Sequence, residues 1–92
     1  MMRSNLVVRI PGRERGRLWF VTHLDVVPEG DRGLWSGDPF VPRVTEERVY
    51  GRGSNDNGQE VVASLYAAVA LKRLGLMPRR EVCLCFVADE EM

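Results

Sequence analysis

The sequence has 92 residues, of which 45% are apolar, and its 13 basic residues balance its 13 acidic ones. A chain of this length forms one domain or part of one, and its apolar content is too high for a disordered protein. The zero net charge gives no electrostatic argument for nucleic acid or a membrane surface as a partner, and no apolar run approaches the roughly 18 residues of a membrane-spanning helix.

Two apolar segments near the N-terminus, residues 5–10 and 17–24, predict β-strands. The link between them contains "PGRERG", which is polar and rich in turn-forming residues, so we expect the two strands to form an antiparallel hairpin. A long turn-rich loop carrying Trp35 and Phe40 follows. A very short strand is expected around Val49, before a glycine-rich turn.

The second half of the chain predicts a helix and then a buried strand. Apolar residues at helical spacing predict a helix over residues 59–74, with Asp56 and Asn57 as candidate N-terminal caps and Gly75 at its C-terminal end. Residues 81–88 are apolar on both faces, as in a central strand of a sheet covered on both sides. The expected fold is therefore α/β, an N-terminal antiparallel hairpin followed by a parallel strand after a helix crossover.

Cys83 and Cys85 lie in this last strand, in "VCLCFV". We interpret them as two small apolar residues of a buried strand rather than as a metal-binding or redox pair. Because side chains alternate along a strand, these two cysteines, two residues apart, lie on the same face, which is a poor geometry for an unstrained disulfide. A reduced, cytoplasmic location is the expectation that fits best.

Chemically active residues are concentrated where three of these elements begin or end. If strands 17–24 and 81–88 are joined by a crossover, both end at the same edge of the sheet, and the helix begins near that edge. The groups at this edge are His23, Asp25, Asp56, Asp89, Glu90 and Glu91. Five neighbouring carboxylates are unfavourable unless protons or cations offset their charge. With an imidazole among them, a divalent metal such as zinc is the simplest explanation.

Geometry sorts these roles only in part. His23 and Asp25 share a face of a strand, so one can ligate metal while the other holds the second imidazole nitrogen. Glu90 and Glu91 point different ways, so one can bind metal while the other acts as general base toward water. Taken singly, each feature has a simpler explanation. His23 is then a polar residue at a strand end, the acidic run is a solvated strand terminus, and Asp56 is a helix cap. Their joint occurrence at one predicted edge favours a site.

The glycine-rich turn, "GRGSNDNG", partly matches a dinucleotide-binding fingerprint. Gly51 and Gly53 fit the pattern, but Asp56 stands where the third glycine is required. A carboxylate at that helix N-terminus would repel a pyrophosphate, so we do not expect a nucleotide site.

Three motifs in order, "HLDVVPEGD", "GRGSNDNGQE" and "FVADEE", make the chain resemble the M20 metallopeptidases from residue 5 onward. The resemblance implies that the sheet is part of a zinc-peptidase-like catalytic domain. It implies a zinc cofactor, with two ions in the complete enzyme and cobalt or manganese as alternatives. The implied reaction is hydrolysis of an amide bond in an N-acyl amino acid or small peptide, and the family's dimerisation domain allows a homodimer of the full-length protein.

The resemblance also implies a role for each matching residue. His23 corresponds to a zinc ligand, and Asp25 to the carboxylate that orients it. Asp56 corresponds to the ligand that bridges the two ions, and the peptide bond after it is typically cis in the family. Glu90 corresponds to the general base and Glu91 to a ligand of the second ion.

The chain departs from the family in its length. Family members are several times longer and supply a further aspartate ligand, a second histidine ligand and a lid or dimerisation domain. We therefore interpret residues 1–92 as the N-terminal portion of a metallohydrolase catalytic domain and expect the isolated chain to be inactive. The alternative is a truncated, non-catalytic binding or assembly module.

Overall fold

The computed structural model describes residues 2–92 of the chain. The three longest strands are β1 (Leu6–Ile10), β2 (Glu14–His23) and β5 (Arg80–Val87). The helix α1 spans Gln59–Arg73, and the short strands β3 (Arg43–Val44) and β4 (Val49–Tyr50) lie in the long loop between β2 and α1. The predicted α/β class is confirmed, with antiparallel and parallel strands in one sheet.

The main sheet has the strand order β1-β5-β2. β5 runs parallel to β2, as the helix crossover predicts, and antiparallel to β1. The strands of the expected N-terminal hairpin are thus antiparallel in direction, but their predicted direct pairing is wrong because β5 lies between them. The link between them crosses the start of β5 at Gly12, where a side chain would collide with the backbone of Arg80. Because β5 lies between β1 and β2, it hydrogen-bonds along both of its edges, as suits a strand that is apolar on both faces.

The core lies in β5 and on the side of the sheet that faces α1. Leu84 and Phe86 of β5 are buried, and Phe20 of β2 lies beside Leu84 in register. Helix α1 packs across this side, and between helix and sheet runs an apolar cleft of about 580 Å³. The sheet thereby fixes where β2 and β5 end, which decides the position of the site.

Helix α1 starts at Gln59 and ends beside Gly75 as predicted, whereas the predicted N-terminal caps are wrong. Gly75 has a φ of 66°, and the hydrogen bonds Gly75 N to Lys72 O and Leu76 N to Leu71 O close the helix. At the other end, Asp56 and Asn57 have non-helical backbone angles, and neither caps the helix. Their side chains are directed to the end of β2 instead.

The long loop after β2 contains more structure than the sequence predicted. The expected strand around Val49 is β4, and it pairs with β3 in a small hairpin. Trp35 Nε1 donates to the carbonyl of Glu29, and the Arg52 guanidinium stacks on the Trp35 ring. These contacts tie the loop to the segment that leads into α1. No helix within residues 2–92 is long and apolar enough to cross a membrane.

Candidate metal centre

Three chain segments meet at the carboxyl-terminal edge of β2 and β5. His23 is the last residue of β2 and is buried, with 9% of its surface exposed. Glu90 and Glu91 follow the end of β5, and Asp56 lies in the irregular turn Ser54–Gly58 just before α1. The convergence arises because a parallel pair of strands ends at one edge and the crossover helix begins there.

The imidazole Nε2 of His23 faces three carboxylates. It lies 2.9 Å from Asp56 Oδ1, 3.8 Å from Glu90 Oε2 and 3.8 Å from Glu91 Oε1. Ligand atoms of His23, Glu90 and Glu91 all lie within 4.8 Å of one another. One nitrogen and several carboxylate oxygens at such spacing form a donor set suited to a divalent cation.

The other ring nitrogen of His23 is occupied by the main chain. Nδ1 lies 2.9 Å from the carbonyl oxygen of Asp25, whereas the nearer carboxylate oxygen of Asp25 is 3.7 Å away. Because a carbonyl oxygen can only accept, Nδ1 is the donor and carries the proton. Asp25 therefore contacts the ring chiefly through its backbone, and Nε2 is the nitrogen directed at the acidic groups.

The carboxylate of Asp25 joins the two strand ends. It accepts hydrogen bonds from the backbone N–H groups of Glu90, at 3.1 Å, and of Glu91, at 2.8 Å. Burial alone would raise the pKa of Asp25, but these two donors, together with the backbone N–H of Asp25 and the charge of His23, lower it. An ionised Asp25 thus holds the turn after β5 against the segment after β2.

The charges of the cluster shift the proton affinities of its members. Burial would lower the pKa of His23, but the Asp25 carbonyl, the Asp56 carboxylate and the charge of Glu90 together raise it. Burial, followed by the charges of Asp56 and Glu90, raises the pKa of the Glu91 carboxyl. Even with His23 protonated, the cluster would carry an excess of negative charge, and a divalent cation would neutralise more of it.

Asp89 does not join the cluster. Its carboxylate pairs with Arg3 Nη1 at 2.9 Å on the exposed side of the turn. The sequence also missed one contact, in which Asn57 Oδ1 accepts the backbone N–H of His23 at 2.9 Å. Only the position of Asn57 beside Asp56 hinted at this role, and its capping tendency pointed elsewhere. The peptide bond between Asp56 and Asn57 is cis, as the resemblance implies.

An imidazole and several carboxylates at the carboxyl-terminal edge of an α/β sheet form the kind of donor set that binds a divalent metal, at the edge where such sheets bind ligands. The sequence profile of peptidase family M20/M25/M40 matches residues 19–92, which include every residue of the cluster. The chain belongs to this family.

Curated relatives agree with this assignment. An uncharacterized metallohydrolase of Methanocaldococcus jannaschii is 40% identical over 90 residues, which cover 97% of this chain and 22% of the relative. A Beta-Ala-Xaa dipeptidase of Lactobacillus delbrueckii subsp. lactis is 37% identical over 82% of this chain and 16% of its own length. A succinyl-diaminopimelate desuccinylase of Delftia acidovorans is 35% identical over 87% of this chain and 21% of the relative. The chain therefore spans only about a sixth to a fifth of the length of these relatives.

Proposed function

We propose that this chain contributes part of the active site of a zinc-dependent hydrolase that cleaves an amide bond in an N-acyl amino acid or a small peptide. The activity belongs to a longer protein or to an assembly with a partner chain. The observation that carries the proposal is the ring of carboxylates around His23 Nε2. The names of two relatives, a dipeptidase and a desuccinylase, fit this substrate class.

His23, Asp56 and Glu91 are the proposed metal ligands. The donor set fits zinc, because a neutral imidazole and carboxylates are common zinc ligands, and it also suits cobalt or manganese. A bound divalent cation would supply a Lewis acid that polarises the scissile carbonyl. Because metal binding requires deprotonated ligands, His23 Nε2 must release the proton that its hydrogen bond to Asp56 favours.

Glu90 is the proposed general base. Its side chain is 56% exposed, whereas that of Glu91 is 20% exposed. Glu90 thus combines proximity to the cluster with access to water, which a residue that removes a proton from water requires. The more buried Glu91 is better placed to hold an ion.

Asp25 is the proposed orienting residue, and it acts on both sides of the site. Its carbonyl holds Nδ1 of His23, which fixes the ring and leaves Nε2 for a ligand. Its carboxylate holds the backbone of Glu90 and Glu91. A cytoplasmic location is also proposed, supported by the free thiols of Cys83 and Cys85.

The experiment compares two matched substitutions in the full-length protein, Glu90→Gln and Glu91→Gln. Both remove one negative charge with little change in shape. We expect Glu90→Gln to abolish nearly all turnover of N-acyl amino acids and dipeptides while bound zinc, measured by elemental analysis, stays at the wild-type level. Glu91→Gln should lower zinc content. Normal turnover by Glu90→Gln would refute its role as the base.

A further inference from the structure

Asn57 makes two hydrogen bonds that join three elements around the site. Its side-chain oxygen Oδ1 accepts the backbone N–H of His23 at 2.9 Å. Its side-chain nitrogen Nδ2 donates to Oε2 of Glu60, in the first turn of α1, at 2.8 Å. The side chain therefore spans the end of β2 and the start of α1, with the turn that carries Asp56 between them.

The hydrogen bond from the His23 N–H to Asn57 Oδ1 satisfies a backbone donor that no strand of the described sheet pairs. β2 is an edge strand of the sheet, so alternate backbone N–H groups point away from β5. Leu24 N donates inward to Val87 O at 2.8 Å, and the preceding N–H, that of His23, points outward. His23 is buried, and a buried N–H without an acceptor is costly. Asn57 Oδ1 supplies that acceptor.

The same dipeptide also contacts the ring of His23. Asp56 Oδ1 lies 2.9 Å from His23 Nε2, while Asn57 Oδ1 holds the His23 main chain. Two points of contact from adjacent residues restrict both the position of the backbone and the direction of the imidazole. We propose that Asn57 is a positioning residue, which fixes the His23 ring against Asp56 by holding the last N–H of β2.

This inference rests on the proposed function, in which His23 and Asp56 hold the metal. Asparagine suits the position because one end of its side chain accepts and the other donates. Aspartate would keep the acceptor for His23 but would place a second negative charge against Glu60. Serine offers no such pair of separated groups. A different pair of side chains at positions 57 and 60 should therefore serve equally well, provided that it keeps an acceptor for the His23 N–H and a hydrogen bond between the two positions.

The test uses the 92-residue chain with three variants. Asn57→Ala removes both hydrogen bonds. Asn57→Asp combined with Glu60→Gln exchanges donor and acceptor and should restore both. Asn55→Ala is the matched control, because Asn55 lies in the same turn but, among residues 2–92, its side-chain oxygen accepts from Gln59 and not from His23.

Two metal-free measurements decide the inference. We expect hydrogen exchange of the His23 amide to quicken about tenfold in Asn57→Ala, as for the loss of one part-buried hydrogen bond, and to be unchanged in Asn55→Ala. His23 is the only histidine, so the chain gives a single set of imidazole NMR signals. These signals should shift in Asn57→Ala and return toward wild type in the combined variant. Unchanged exchange and unchanged imidazole signals in Asn57→Ala would overturn the inference.

Two further outcomes are distinguished. If Asn57→Ala fails to fold, the combined variant decides, because wild-type exchange and imidazole signals there support the inference and their loss overturns it. Zinc affinity, measured by competition with a chromophoric chelator, should fall by roughly tenfold in Asn57→Ala. Zinc content of the full-length protein tests the proposed function separately, since the metal-free His23 signals decide the role of Asn57 whether or not zinc binds.

Discussion

Gly53 begins the turn that carries Asp56 to the site, and its replacement by alanine should disrupt that turn. Its φ of 86° lies in the left-handed region, which costs alanine about 1 kcal/mol. A Cβ at this position would also lie 2.6 Å from Cγ1 of Val26, the residue that follows Asp25. Val26 is 41% exposed and can move in part, so we assign about 1–2 kcal/mol to this overlap. The expected total loss of stability is about 2–3 kcal/mol.

The assay is urea unfolding followed by tryptophan fluorescence, with two controls. Gly30 also has a positive φ, 71°, but nothing lies within 4 Å of its Cβ position, so Gly30→Ala should cost only about 1 kcal/mol. Val26→Ala added to Gly53→Ala removes the overlap and should recover about 1 kcal/mol. If Gly53→Ala costs no more than Gly30→Ala, or if Val26→Ala gives no recovery, the steric reasoning is refuted.

Two further predictions concern the core and the loop. Leu84 is 2% exposed, so Leu84→Ala should lower the free energy of unfolding in urea by about 2–4 kcal/mol. Leu34 is 85% exposed, so Leu34→Ala should lower it by less than about 0.5 kcal/mol. Equal effects would contradict the assigned core. The Glu29 backbone N–H and then the Arg32 side chain lower the pKa of Glu29. Its stabilising contribution is thus present above its unfolded pKa and is lost as pH falls through the folded pKa. Between about pH 5 and pH 3 the wild type should lose more stability than Glu29→Gln, and parallel curves would contradict this.

The positions of most site residues follow from local pattern and one topological rule. A crossover through a helix makes β2 and β5 parallel, so His23 and the acidic pair Glu90 and Glu91 had to lie at one edge. Asp56 follows from its place just before α1. These features depend on hydrophobic periodicity and chain direction, both of which can be read from a single sequence.

The features that the sequence did not predict depend on contacts between distant residues. The polar link before β2 resembles a hairpin turn, and only pairing with a strand some 70 residues later separates β1 from β2. Asp89 and Glu90 are neighbours in one acidic run, yet Asp89 is drawn to Arg3 at the other end of the chain. Asn57 has the composition of a helix cap, and it becomes a partner of His23 because the edge of β2 leaves an N–H unpaired.

The most direct test of the proposed site is to titrate zinc into the metal-free full-length protein and follow the two ring nitrogens of His23, assigned by its substitution, by ¹⁵N NMR. Nδ1 donates to the Asp25 carbonyl, whereas Nε2 faces Asp56 and the two glutamates. We predict that zinc shifts the Nε2 signal to the metal-bound range while Nδ1 stays protonated. A full-length protein in which zinc shifts Nδ1 instead, or neither nitrogen, would contradict the proposed metal centre.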